Sequence, residues 1–254
     1  MNIKVVIVSK DEKFKLEKDA FDAIDSSLAK IDAEYVPNNI DSLAKVYNKY
    51  LSEERNSPVH DYLIFLHADV SFNVEKFVKH LEEVGPKYDL LGLCGTSRLD
   101  VSRSPLNWYT GSNQTPLEKW GCVTHGEAGF TTTYFSEHSP NVLDAEVSCI
   151  DGLCIIFTKK AISSGLSFDE NLGKFSFYDT DISLQAVMTY RLKLGVMVQL
   201  DLCHHSIGKS ITQPEFLDDE LKFRNKWNFP IPPNSAIERH LQMKNLIPMP
   251  NNAV

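Results

Sequence analysis

No stretch of the 254-residue chain approaches the ~20 consecutive apolar residues that a membrane-spanning helix requires. The opening MNIKVVIVSKDEKFK enters a short apolar run at once and lacks the long apolar core and cleavage site of a signal peptide. Cysteine is sparse: five residues, an odd number without regular spacing, which predicts reduced thiols in a cytoplasmic protein rather than a disulfide framework. Basic blocks are missing as well, and the formal charge is -8. Sequence-independent nucleic-acid binding depends on many phosphate contacts, so this balance argues against it. Both glycine-rich phosphate loops are absent: no G-x-G-x-x-G follows the first strand, and there is no G-x-x-x-x-G-K-[ST]. A chain of this kind needs another counter-charge to hold a pyrophosphate, and a metal ion is the available one.

What is present is ordinary globular composition, 43% hydrophobic and 24% charged, in a length that suits one large α/β domain or two small ones. A domain of this size buries roughly three quarters of its unfolded surface and needs no disulfide or structural metal. Residues 3 to 8 predict a buried strand. Phe21, Ile24, Leu28 and Ile31 repeat at helical spacing, and AEYVPNN reads as a short strand closed by Pro37. Leu43, Val46, Tyr47, Tyr50 and Leu51 form the stripe of a second helix. Residues 62 to 66 predict the next strand, Asn73 a helix cap, and DLLGLCG a fourth strand. This alternation predicts a parallel, doubly wound sheet, in which ligands bind beyond the carboxyl ends of the strands.

Residues 98 to 148 are polar and weakly periodic, the kind of long segment that carries function or mobility. Regular patterning resumes with the strand GLCIIFT, a helical turn ended by Gly165, a helix from YDTD to Gly195, and a strand VMVQLDL. Pro214 opens a last helix through Trp227. The expected organisation is a single domain over residues 1–228 and a proline-punctuated tail over 229–254.

Chemistry-bearing residues gather at the predicted strand ends and helix starts. In FLHADV, His67 and Asp69 are two apart and share a face of an extended chain. Asp179 and Asp181 open a helix, and His204 and His205 end a strand. Carboxylates with at most one imidazole suit Mg²⁺ or Mn²⁺ better than zinc, and such an ion can neutralise a leaving diphosphate. Each residue also has a structural reading: an Asp before a helix caps it, and a strand-end His forms hydrogen bonds. A zinc site around Cys203, His204 and His205 lacks the further thiols of a chelating set.

Four segments, in order, resemble glycosyltransferases of the GT-A fold, family 2-like, and most closely the StrF-type branch: AKVYNKYL, FLHADV, IDGLCIIFTKKA followed by GLSFDENLGKFSFYDTDISLQA, and LDLCHHSIGKS. The likeness covers most of residues 1 to 210. It implies an α/β, Rossmann-like and mostly parallel sheet flanked by helices, and an inverting, metal-dependent transfer of a sugar from a UDP- or GDP-linked donor. It further implies a glycan, lipid-linked or protein acceptor, whose identity the sequence does not name. Asp69 matches the final Asp of the family's D-x-D motif and is assigned to Mn²⁺ or Mg²⁺, with His205 as second ligand. Asp179 matches the catalytic base; its place near a helix N-terminus favours the ionised form, and Asp181 is assigned a structural role. His67 stands where the family has its first Asp, and Tyr178 where it has a Glu. His67 is open to three roles: ligand, ribose contact, or shaping the turn.

On the donor side the resemblance points to Ser9 with Lys10, to Asn38 with Asn39, to Asn48, and to Asp151 and Gly152. Gly152 either lets a substrate approach the backbone or simply starts a strand. Lys209 is a candidate phosphate contact or a solvated lysine. Trp108, Trp120 and His125 either stack on a sugar or anchor the long loop. Asp169 and Glu170 are read as structural. A rival function on the same fold is a non-catalytic protein that binds a sugar or nucleotide-sugar, favoured by the substitutions at the two acidic motifs.

Overall fold

The computed structural model describes residues 1–10, 18–25, 27–108, 118–126, 132–134, 141–200, 202–205, 213–244 and 246–247. In chain order its elements are β1 (Asn2–Val8), α1 (Lys18–Asp22), β2 (Lys30–Val36), α2 (Leu43–Asn56), β3 (Tyr62–His67), β4 (Val70–Ser71), α3 (Val74–Val84), β5 (Leu90–Gly92), β6 (Gly95–Thr96), β7 (Lys119–Trp120), β8 (Val123–His125) and β9 (Thr132–Tyr134). There follow β10 (Asp144–Glu146), β11 (Cys149–Ile150), β12 (Cys154–Thr158), α4 (Lys159–Ser163), α5 (Tyr178–Leu184), β13 (Leu194–Met197), β14 (Leu202–His204), α6 (Pro214–Trp227) and α7 (Ala236–Met243).

The apolar runs are continuous because the central sheet is covered on both faces. Along β1, Ile3, Val5 and Ile7 pack with Phe21 of α1 and Phe77 of α3, while Val6 and Val8 pack with Tyr47 of α2 and Ile162 of α4. Tyr62, Ile64 and Leu66 of β3 join the first cluster, and Leu63 and Phe65 the second. The sheet order among the described residues is β10-β13-β5-β12-β3-β1-β2. Five of these strands run in one direction, and β12 and β10 are reversed. The large, mostly parallel sheet is therefore as expected, with one change: antiparallel β12 separates β3 from β5. The chain leaves β5 at the carboxyl edge of the sheet and reaches β12 from that same edge through β11, so its next strand must run back.

Several boundaries differ from the sequence reading. The helix expected to reach Ile31 ends at Asp22, and Ile31 lies in β2, paired beside Ile3. β1 offers an unfilled edge along this stretch, and ladder pairing outweighs helical spacing. The helix expected to run to Gly195 turns into one π-helical stretch at Gln185–Thr189 and stops. Arg191 takes the turn with φ 55°. Gly195 sits inside β13, where a Cβ would come within 2.4 Å of the Tyr88 ring. The expected single strand VMVQLDL is split into β13 and β14 at Gln199, φ 67°. The cap on Asn73 is present: its Oδ1 accepts the Lys76 N–H at 2.9 Å.

The segment from Phe229 contains α7, whose Ile237 and Leu241 are buried with Leu217 of α6. Helix α6 also secures the start of the long irregular region. Arg224 and Glu220 form a fully buried ion pair at 2.8 Å. The guanidinium donates further to the carbonyls of Val101, Pro230 and Arg103, and Glu220 accepts the Ser104 hydroxyl at 3.0 Å. None of the five cysteines forms a disulfide. No helix among the described residues is long and apolar enough to cross a membrane.

Candidate active site

β1 and β3 run side by side with Val8 opposite His67, so both carboxyl ends open into one place. A cavity of about 280 Å³ lies there, lined by Val8, Ser9, Lys10, Leu43, His67, Ala68, Asp69 and Phe175. Lys10 reaches across its mouth, with Nζ 3.6 Å from the centre of the Phe175 ring. A larger cavity, about 500 Å³ and lined in part by Glu54, His60 and Lys159, lies at the opposite end of β3, where Thr158 pairs with Tyr62. It is remote from the convergent strand ends.

Past His67 the chain forms β4, which pairs antiparallel with β14 so that Val70 faces His204. The His205 N–H donates to the Asp69 carbonyl at 2.7 Å. This places His204 Nε2 3.3 Å from Asp69 Oδ1, while the ring of His205 pairs with the Ser71 hydroxyl at 2.7 Å. Successive side chains on a strand take opposite faces, so only one of the two histidines can reach the carboxylate, and it is His204. His67, Asp69 and His204 each offer a ligand atom, all within 4.8 Å of one another. Cys203 is outside this group, and no zinc-type cluster with it occurs among the described residues.

Burial opposes the charge on Asp69, but the hydrogen bond and charge of His204, with His67 behind it, outweigh burial and hold the carboxyl down at about 2. His204 is affected the other way: burial lowers its pKa, and the Asp69 partner raises it further than that. Burial pushes His67 down, against the pull of Asp69. The trio thus pairs a firmly ionised carboxylate with two imidazoles. That is one imidazole more than the sequence reading allowed, and the donor set suits a divalent transition ion, Mn²⁺ among them, better than Mg²⁺.

The second half of the site is built by the turn between β11 and β12. Asp151 N–H donates to the Cys94 carbonyl, and the Leu153 carbonyl accepts the His67 N–H at 2.9 Å. The turn is thereby tied to β3. Gly152 N–H donates to Asp179 Oδ2 at 3.0 Å, and Thr180 N–H to Asp179 Oδ1 at 2.7 Å. Burial, then the neighbouring charge of Asp151, push the Asp179 carboxyl up to about 7. The ionised state expected from the helix terminus is therefore offset: those two causes outweigh the backbone donors. Asp151 accepts Trp108 Nε1–H at 2.6 Å and Leu153 N–H at 2.9 Å, so Trp108 anchors the irregular segment on the site.

Neither Asp179 nor Asp181 caps α5. The cap position is Phe177, which holds a left-handed conformation (φ 64°) with no side-chain cap bond. A bulky residue there costs about 1–3 kcal/mol; stacking of its ring on Phe223, 5.0 Å away, opposes that strain. Asp181 is fully buried and accepts from Trp227, Lys226 and Gln185, which joins α5 to α6. Asp169 likewise binds Lys226.

Other expected site residues fall differently. Ser9 lines the cavity. Asn38 sits exposed at the end of β2 with φ 53°, and Asn39 closes a turn onto Asp41. Asn48 clamps the backbone of Phe168 with both ends of its amide, 2.9 Å each way, and is not among the cavity-lining residues. The group that closes on Gly152 is Tyr178, whose hydroxyl lies 2.0 Å from where a Cβ would stand. Lys209 lies outside the described residues, and His125 is described only as a residue of β8, beside His204 in register. Of the two adjacent histidines the sequence reading chose His205 as the second ligand, whereas it is His204 that faces Asp69; the Tyr178 hydroxyl, which meets His67 Nε2 at 2.7 Å, was not foreseen. The available signal for His204 was strand alternation counted from Asp69 across β4, which required knowing that β4 and β14 pair.

The chain matches the model of a family described as glycosyltransferase-like over residues 5–225. No curated protein matches it. Among solved structures, S. aureus TarS is 12% identical with a TM-score of 0.50; the match covers 96% of this chain and 42% of TarS. The chain therefore spans less than half the length of that protein. The structure of S. aureus TarS 1-349 in complex with UDP-GlcNAc is 11% identical, TM-score 0.48, with 96% and 70% covered. A197 from STIV is 14% identical, TM-score 0.41, with 80% and 83% covered. The layers and mostly parallel sheet described above match the GT-A fold.

Proposed function

The chain belongs to the glycosyltransferase-like family, and from that premise we propose that it transfers a sugar from a nucleoside-diphosphate donor to an acceptor hydroxyl. The observation that carries this reading is the convergence, at one sheet edge, of the His67–Asp69–His204 trio and a separate carboxylate, Asp179, with its pKa pushed up to about 7. The cavity at the ends of β1 and β3 takes the nucleotide, its wall formed by Ser9, Lys10 and Phe175. His67, Asp69 and His204 would hold the cation, Mn²⁺ or Mg²⁺. Such an ion supplies neutralisation of the charge that develops on a leaving diphosphate.

Asp179 takes the proton from the acceptor hydroxyl. A base poised near neutral pH combines a usable ionised fraction with real proton affinity, and Asp151 beside it keeps that affinity high. The deprotonating oxygen attacks the anomeric carbon from the face opposite the diphosphate; as that bond forms the carbon–oxygen bond to the diphosphate breaks, the nucleoside diphosphate leaves, and the centre is inverted. Trp108, bonded to Asp151, brings the irregular segment to the acceptor side. A UDP- or GDP-linked hexose as donor, an origin in the StrF-type branch and a cytoplasmic setting complete the proposal. The acceptor class is a glycan, a lipid-linked sugar or a protein.

The test is Asp179→Asn. Transfer should fall by about 10²–10⁴-fold, with donor affinity within twofold of wild type; equal loss of both removes Asp179 from the base role. A second reading, a nucleotide-sugar binder without catalysis, is favoured by His67 and Tyr178 at the two substituted motif positions. It requires no donor hydrolysis at all, whereas a transferase shows slow hydrolysis when the acceptor is withheld.

A further inference from the structure

We propose that Tyr178 is the positioning residue of the cation site: its hydroxyl holds Nε2 of His67 and leaves Nδ1 as the ring nitrogen free to take a cation with Asp69 and His204. The inference rests on the reading of that trio as a cation site. An imidazole that binds a metal through one nitrogen is oriented by a partner on the other, and Tyr178 is the partner at Nε2, 2.7 Å away.

Two features make the hydroxyl a fixed point. The Tyr178 ring lies in a buried aromatic group, 6.1 Å from Tyr47 and 6.1 Å from Phe168 by ring centres. Its far end is accommodated by Gly152, where a Cβ would come within 2.0 Å of the hydroxyl and 2.4 Å of Cζ. A glycine is thus needed here for the clearance of one side chain. The same turn of α5 carries Tyr178 toward His67 and Asp179 toward the Gly152 N–H. The ligand trio and the raised carboxylate are therefore held in mutual register through adjacent residues. The 2.7 Å contact fits either direction of donation; a cation at Nδ1 requires the hydroxyl to accept, which puts the His67 proton on Nε2 and the lone pair on Nδ1.

Neighbouring Tyr47 provides a matched control. It is fully buried in the same aromatic group, but its hydroxyl has no hydrogen-bond partner among the described residues. Mn²⁺ alone, without nucleotide, is titrated into the full chain and followed by calorimetry and by the electron paramagnetic resonance of free Mn²⁺. Tyr178→Phe keeps the ring and should weaken Mn²⁺ binding by about 10- to 100-fold. Gly152→Ala, which displaces the hydroxyl, should weaken it similarly, and Tyr47→Phe should leave it within twofold. Wild-type affinity in Tyr178→Phe overturns the proposal, as does equal loss in the two Tyr→Phe variants. Wild type that takes up no Mn²⁺ overturns the cation reading itself and the proposal with it. Nitrogen-15 NMR of His67 in the wild-type protein at pH 8 is independent of any variant's folding: a proton on Nε2 supports the assignment, and a proton on Nδ1 overturns it.

Discussion

His204 presents Nε2 to Asp69 Oδ1 at 3.3 Å, a contact that joins two strands more than a hundred residues apart in the chain. Its neighbour His205 turns the other way, onto the Ser71 hydroxyl at 2.7 Å. The alternation of one strand therefore separates a residue that can serve a cation from one that secures β4. His204→Ala is expected to weaken Mn²⁺-dependent nucleotide binding by tenfold or more, and His205→Ala by less than twofold. Calorimetric titration of the two variants checks this; a larger loss in His205→Ala would reverse the assignment.

The Asp179 carboxyl, held up at about 7 by burial and by Asp151, sets an expected pH dependence. A base acts only when ionised, so kcat/KM should rise with pH and level off above about 7. Asp151→Asn removes the neighbouring charge and should move that acid limb to lower pH. A pH–rate profile on both proteins measures it. A limb that stays in place in the variant would show that Asp151 does not govern the base.

The Glu220–Arg224 pair is fully buried, and its guanidinium holds the carbonyls of Val101 and Arg103 at the start of the segment that carries Trp108. Glu220→Ala leaves a buried cation without its counter-charge, a change that typically destabilises by about 3–5 kcal/mol. Urea unfolding should show a loss of that order. A change below about 0.5 kcal/mol, the size expected of an ordinary surface site, would mean that the pair does not secure this segment.

How far the sequence could be read follows from which forces act locally. Strands β1 and β3 and helices α2, α3 and α6 follow from apolar periodicity, the Asn73 cap of α3 and the Pro214 start of α6, all of which are local. The end of α1, the reversal of β12 and the split at Gln199 depend on partners distant in sequence, and periodicity does not encode them. The site shows the same division. Asp69 is placed by the end of its own strand, and Ser9 by the end of the neighbouring one. Asn48 reads as a polar residue on a helix facing the site, but the backbone of Phe168, 120 residues on, takes both ends of its amide. The pKa of Asp179 depends on Asp151 and on burial, neither visible in the YDTD motif. The left-handed Phe177 carries no sequence signature, since bulky residues rarely adopt that conformation.

The most direct test of the proposed function is calorimetric titration of UDP and of GDP, with and without Mn²⁺, into wild type and Asp69→Ala. One nucleotide should bind wild type only when Mn²⁺ is present, and the variant should lose at least tenfold in affinity. Nucleotide binding indifferent to Mn²⁺ and to the loss of Asp69, or no nucleotide binding under any condition, would contradict a cation-assisted donor site at the ends of β1 and β3.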